Sequence, residues 1–256
     1  MTDTSTAVHY ETIDVRFQDS ICFLQINRPE ANNTINSQLV AECNDVLSTC
    51  EESATVVVLS GSPEVFCFGA DFKAIAGNAK TTREPDVDPG ALYDLWLRLI
   101  TGPYVTIAHV RGKANAGGVG FVAASDIVLA DETAQFSLSE LLFGLYPACV
   151  LPFLIRRIGV QKAHYLTLMA QPIAAKQALE WGLVDAVEPA SEALLRRHLQ
   201  RLRRLSKTAI RRYKTYINHI SGPLQNLKPA AIAGNRVLIS ISGLDAYHSA
   251  NWYASS

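Results

Sequence analysis

The sequence predicts a layered α/β domain whose strands pair largely in parallel. Three observations carry that reading. Strand-like runs alternate with helical ones over the first 150 residues. The stretches at 55–59 and 127–130 are apolar almost throughout, as in strands covered on both faces. No internal repeat or low-complexity tract offers another architecture. With 256 residues, 48% of them apolar and 18% charged, the chain can bury one sizeable core, which excludes a wholly disordered protein and leaves no room for two independent enzymes.

Residues 12–17 and 21–26 read as two strands around a short turn, rich in β-branched and aromatic side chains. Arg28, Pro29, Glu30, Ala31, Asn32 and Asn33 break the sheet. A helix follows from about 37 to 50, with Ser37 as N-cap and Leu39, Val40, Cys43, Val46, Leu47 and Cys50 at helical spacing. The strand at 55–59 ends at Gly61, Ser62 and Pro63. A second pass gives a helix near 92–100, a strand at 105–110, glycines at 112, 117, 118 and 120, and a strand at 127–130. Residues 81–90, polar and interrupted by Pro85 and Pro89, predict a mobile loop. From Val150 onward the pattern is mostly helical, with one strand-like stretch at 183–187.

Twenty-three Lys and Arg against twenty-four Asp and Glu give a formal charge of −1, which argues against a uniformly basic nucleic-acid binder. The charge is segregated all the same. Arg196, Arg197, Arg201, Arg203, Arg204, Lys207, Arg211, Arg212 and Lys214 are nine cations without an intervening carboxylate, so the remaining chain carries −10. This is either a solvated helix face or a docking surface for an acidic partner. Cys22, Cys43, Cys50, Cys67 and Cys149 are odd in number and contain no CxxC, so reduced buried thiols are expected rather than disulfides or zinc. The histidines are scattered, and no metal site is expected. The N-terminus lacks the apolar core of a signal peptide, and no run of about 18 apolar residues appears; a cytoplasmic protein without membrane association is expected.

Two glycine-containing turns carry the chemistry. Val65-Phe66-Cys67-Phe68-Gly69-Ala70-Asp71-Phe72 and Arg111-Gly112-Lys113-Ala114-Asn115-Ala116-Gly117-Gly118-Val119-Gly120-Phe121 each lead from a strand-like stretch toward a helix. Backbone N–H groups at helix starts are unsatisfied, and two that converge would form an oxyanion hole. The second turn has neither the Gly-Lys-Ser/Thr ending of a P-loop nor the dinucleotide spacing.

Together with Asn27-Arg28-Pro29, Asn33, Ser125-Asp126-Ile127 and the run from Ala134 through Glu140 to Pro147, these turns occur in an order and spacing that resembles the enoyl-CoA hydratase/isomerase (crotonase) family over nearly the whole chain. The resemblance implies a crotonase-like spiral of ββα units, with residues 1–195 as catalytic core and 196–256 as a C-terminal helical oligomerisation region of the same domain. It also implies a homotrimer or dimer of trimers, a thioester substrate, and an oxyanion hole from the N–H groups of Ala70 and Gly117 beside Gly69, Asp71 and Gly118. Typical hydratases carry two glutamates; here the first position is Gly120 and only Glu140 survives. A single carboxylate suffices for isomerisation or for a syn elimination in which it first takes a proton and then returns it to the leaving hydroxyl.

Finer stretches, among them Asn32-Asn33-Thr34-Ile35-Asn36, Leu92-Tyr93-Asp94-Leu95-Trp96 and Phe143-Gly144-Leu145-Tyr146-Pro147, resemble one branch of the family: the first crotonase-like enzymes of polyketide β-branching cassettes. That branch implies dehydration of a 3-hydroxy-3-methylglutaryl group on the phosphopantetheine arm of an acyl carrier protein, with no further cofactor and with a neighbouring decarboxylase as partner. The substrate's distal carboxylate needs a donor in the pocket, and Asn115, Lys73, Tyr93 and Arg83 are the candidates. Tyr93 and Trp96 lie one turn apart, so at least one is expected to pack in the core. Arg203, Arg204 and Lys207 become candidates for docking the acidic carrier. The alternatives are a Δ3,Δ2-enoyl-CoA isomerase or hydratase and, from another class, a crotonase-fold RNA-binding protein.

Overall fold

A computed structural model describes residues 9–70 and 87–241, with side chains described as far as residue 235. β1 (Ile13–Gln18) and β2 (Ile21–Ile26) form an antiparallel hairpin. It turns at Asp19, which takes the left-handed φ of 54° that aspartate tolerates. α1 (Ser37–Ser53) is capped one residue earlier than expected. Asn36 Oδ1, not Ser37, accepts from Leu39 N at 2.8 Å, because an Ncap side chain must reach the N–H of N2 or N3.

Thereafter strands come in pairs. β3 (Val56–Ser60) is followed by β4 (Val65–Cys67), β5 (Val105–Val110) by β6 (Lys113–Asn115), and β7 (Ile127–Ala130) by β8 (Gln135–Ser137). The first member of each pair joins one sheet and the second joins another, orders β1-β2-β3-β5-β7-β10 and β4-β6-β8-β9, where β9 is Ile173–Ala174 and β10 is Ala186–Val187. Pairing is parallel from β2 through β10 in the first sheet and from β4 through β8 in the second. α2 (Pro89–Thr101) precedes β5, and α3 (Gly117–Ala123) follows β6. The result is the ββα spiral that the sequence implied.

The chain then forms a 3-10 turn at Glu140–Phe143, α4 (Leu151–Met169), β9 (Ile173–Ala174), α5 (Ala175–Glu180), β10 (Ala186–Val187), α6 (Ser191–Leu202), α7 (Lys207–Ile220) and α8 (Lys228–Ile241). Of the stretch 183–187 only Ala186 and Val187 pair, alongside β7. Of the loop expected at 81–90, Pro89 and Gly90 instead open α2, where Asp88 caps the helix by accepting from Gly90 N and Ala91 N; residues 81–86 lie outside the described residues.

Alternation along the large sheet separates two apolar layers. Cys22, Leu24, Val57, Leu59, Ala108, Val110, Val128 and Ala130 face a core shared with α1, α2 and α3. Ile21, Val56, Val58, Ile107 and Leu129 face Leu194, Leu195, Leu199 and Leu202 of α6. Both faces are therefore covered, as the apolar run at 55–59 requires. All five cysteines are free and buried. Among the described residues, no helix is long and apolar enough to cross a membrane.

Candidate active site

The two glycine turns meet. Gly69 has φ +85°, and a Cβ built there would lie 2.7 Å from Ala116 Cβ and 3.1 Å from Gly117 N. A Cβ on Gly117 would sit 2.8 Å from Ile35 Cδ1, 3.5 Å from Gly69 Cα and 3.8 Å from Ala70 N. Only glycine lets these backbones come so close. The first turn is held by the loop before α1: Ile35 N donates to Gly69 O at 2.8 Å, and Asn33 Nδ2 donates to Val65 O at 2.8 Å. The second is aimed by Ala116, whose φ of 50° and ψ of −118° are strained for a residue with a Cβ. Among the described residues, neither Ala70 N–H nor Gly117 N–H donates to a backbone carbonyl. Two free donors on adjoining turns, one at the start of α3, suit a developing oxyanion.

Glu140 opens the 3-10 turn that follows β8 and is 7% exposed. Its Oε2 is buried without a hydrogen-bond partner among the described residues. Burial pushes its carboxyl up to about 7, against a smaller opposing effect of its own backbone N–H. A carboxylate poised near neutrality can both take and return a proton. The side chain of Asn115 joins this turn to the oxyanion strand: Ser137 Oγ donates to its Oδ1 at 2.8 Å, and its Nδ2 donates to Ser139 Oγ at 3.0 Å. Asn115 thus ties the two halves of the site together, with one Nδ2 N–H and its Oδ1 engaged by these serines. Sequence reasoning passed over Ser137 and Ser139, which lie in and just beyond a strand of only three residues.

Gly120, one turn into α3, explains why a second carboxylate is missing. A Cβ there would lie 2.3 Å from Trp96 Cζ2, 2.5 Å from Cη2 and 2.8 Å from Cε2. The indole fills the space that a side chain at 120 would need. Trp96 packs edge-on against Phe121 and Phe153, at 6.0 and 5.6 Å between ring centroids. Tyr93, expected as a substrate donor, is instead buried with its hydroxyl donating to Leu224 O at 2.8 Å. Burial also raises its hydroxyl pKa well above the ordinary range. It fastens the C-terminal region to α2. Gly118 lies where a Cβ would come 2.1 Å from Cys67 O, so it serves the close approach of α3 to β4 rather than a ligand. Asp71, Lys73 and Arg83 lie outside the described residues.

The cationic segment is mostly engaged within the chain. Arg203 pairs with Asp19 at 3.3 Å, Arg197 with Glu188, and Arg211 with Glu52 at 3.9 Å. Lys207 Nζ donates to Cys50 O at 2.9 Å and Ala54 O at 2.6 Å, closing the C-terminus of α1. Of the three residues expected to dock a carrier, Arg204 alone has no ion-pair or side-chain hydrogen-bond partner among the described residues. Moreover, α6 packs on the sheet face opposite the core that holds the glycine turns. The expectation of a single basic docking surface is corrected accordingly. Five of its nine cations, Lys214 with Asp126 included, have partners within the chain.

Residues 16–243 match the model of the enoyl-CoA hydratase/isomerase family. The bacillaene synthase dehydratase PksH of Bacillus subtilis is 59% identical over 91% of this chain and 90% of its own length. The 2,3-dehydroadipyl-CoA hydratase of Escherichia coli is 32% identical over 69% of each chain. Among solved structures, a polyketide biosynthesis enoyl-CoA hydratase from Bacillus subtilis superposes with a TM-score of 0.89 at 58% identity, covering 92% of this chain and 94% of that one.

Proposed function

The chain belongs to the enoyl-CoA hydratase/isomerase family, and from that membership we propose that it removes water from a 3-hydroxy-3-methylglutaryl thioester on an acyl carrier protein, leaving the 3-methylglutaconyl thioester. It is an enzyme of the hydro-lyase kind. The observation that carries the finer reading is the buried carboxyl of Glu140, held near neutrality, in a chain 59% identical to a polyketide-pathway dehydratase.

The thioester oxygen accepts from Ala70 N–H and Gly117 N–H. Glu140, as carboxylate, takes the C2 proton; the electron pair flows into the enolate that the two N–H groups stabilise. The enolate collapses to form the C2–C3 double bond as the C3–O bond breaks. The departing oxygen takes the proton now on Glu140, so water leaves and the carboxylate is regenerated. One group serves both steps on one face, which accounts for a site with Gly120 in place of a second glutamate. No cofactor besides the carrier's phosphopantetheine arm is needed in this scheme. A separate decarboxylase would consume the product, and assembly as a trimer or dimer of trimers belongs to the same reading.

The test is mass spectrometry of the 3-hydroxy-3-methylglutaryl carrier after incubation with the protein, where a loss of one water is expected. Repeating it with the same acyl group on coenzyme A separates carrier from coenzyme preference. A lone glutamate also fits Δ3,Δ2-enoyl isomerisation. Turnover of a 3-enoyl thioester with no mass change on the hydroxyacyl carrier would favour that reading instead.

A further inference from the structure

Trp96 carries a polar atom that the fold leaves unused. It is 1% exposed, and its Nε1 is buried with no hydrogen-bond partner among the described residues. Phenylalanine would supply apolar packing here without burying an unpaired donor, which costs free energy. A native protein that retains such a group calls for an explanation at that place. The place is informative. The indole edge made by Cζ2, Cη2 and Cε2 lies directly over Gly120, and Cε2 is bonded to Nε1. Gly120 is three residues beyond Gly117 on α3, about 4.5 Å along the axis. Glu140 Oε2, an acceptor, is another buried side-chain atom without a partner among the described residues. Of the donors expected for a distal carboxylate, Tyr93 is held by Leu224 O and Asn115 is held between Ser137 and Ser139, while Lys73 and Arg83 lie outside the described residues.

We propose that Trp96 Nε1–H is a substrate-contacting specificity determinant, donating to the distal carboxylate of the acyl group whose thioester oxygen sits on Ala70 N–H and Gly117 N–H. The proposal rests on the carrier-bound 3-hydroxy-3-methylglutaryl reading. That carboxyl carbon lies four bonds from the thioester carbon, a span comparable with the rise from Gly117 to Gly120. The acyl chain then runs along the first turn of α3, past Glu140, to the indole. Gly120 is required because any side chain there would displace the ring that makes the contact.

The cleanest variant replaces Trp96 with 3-benzothienylalanine, which keeps the bicyclic shape and exchanges N–H for sulfur; Trp96→Phe is its genetic counterpart. Loss of a hydrogen bond to a charged group should lower kcat/KM for the 3-hydroxy-3-methylglutaryl carrier by about 10- to 100-fold, mainly through KM. Turnover of the 3-hydroxy-3-methylbutyryl carrier, which lacks the distal carboxylate, should be the same in parent and variant. Equal losses on both substrates, or none on either, would overturn the proposal. A readout independent of turnover is the 15N-labelled indole resonance of Trp96 in the parent protein, titrated with a 3-hydroxy-3-methylglutaryl pantetheine thioether. A shift that the 3-hydroxy-3-methylbutyryl thioether does not produce supports the contact, and identical responses to the two sink it. A parent that binds in this way yet releases no water would retire the dehydratase reading and leave the Trp96 contact standing.

Discussion

Glu140 and Lys214 are both charged residues buried in the same domain, and the fold treats them in opposite ways. Lys214 on α7 is 3% exposed, and its Nζ donates to Leu99 O at 3.0 Å, Tyr104 O at 2.8 Å and Asp126 Oδ2 at 2.6 Å. All three ammonium donors are used. Burial pulls its pKa below the usual lysine range, and Asp126 opposes that pull. Glu140 is nearly as buried, yet one of its oxygens has no partner among the described residues, and burial lifts its carboxyl to about 7. A buried charge with every partner in place locks elements together, whereas one left short of partners stays ready to exchange a proton. Lys214 joins α7 to the segment from α2 to β5 and to the start of β7. Glu140 waits beside the oxyanion turns.

The largest effect that would break or sharpen this contrast is on rate. Glu140→Gln keeps the shape of the side chain and removes its acid/base function, so kcat should fall about 100- to 10,000-fold with the fold intact by circular dichroism. Since catalysis starts from the carboxylate, kcat/KM of the parent should rise tenfold per pH unit up to about 7 and then level off. A variant as active as the parent, or a parent profile flat from pH 5 to 9, would remove Glu140 from the mechanism.

Lys214→Met reverses the comparison, because it should cost stability and spare chemistry. It strands Tyr104 O, leaves Leu99 O only the longer 3.3 Å contact from Thr106 Oγ1, and leaves Asp126 without its cation, although Thr106 N still donates to that carboxylate at 2.8 Å. Breaking such a pair costs about 3 to 5 kcal/mol, read as a lower midpoint in urea. The turnover of the molecules that remain folded should be unchanged. A rate loss equal to that of Glu140→Gln would mean that the two charges are not separate in role.

The contrast also shows which parts of the protein are legible from its amino acids. The apolar strands are readable because local residue types and spacing define them, whereas the roles expected of Glu140, Ala70 and Gly117 come from the motifs by which the chain resembles its family. Three-residue strands such as Val65–Cys67 and Gln135–Ser137 are too short for a period to register. The cationic segment misleads for another reason. Nine adjacent cations look like a free surface in one dimension, but Asp19, Glu52, Asp126 and the last carbonyls of α1 approach them only in the folded chain. In the same way, Gly120 reveals the loss of a carboxylate, while the indole that takes its space comes from a helix more than twenty residues earlier.

The smallest expected effect is on stability, and there the sign distinguishes the two residues. A carboxyl whose folded pKa exceeds its unfolded value binds its proton more tightly in the native state, so ionisation weakens the fold. For Glu140 the penalty is absent below the ordinary value of 4.5, grows as pH rises, and is complete above about 7. That interval corresponds to about 3 kcal/mol, an order-of-magnitude figure. Glu140→Gln abolishes this titration, so the variant should gain on the parent by about that amount between pH 4 and pH 8. Any fixed cost of burying the glutamine amide shifts both ends equally and leaves the difference unchanged. Chemical denaturation of both proteins at the two pH values measures it. A difference that does not change with pH would mean that Glu140 has an ordinary carboxyl in the free protein, and that its readiness to exchange a proton near neutrality arises only when substrate is bound.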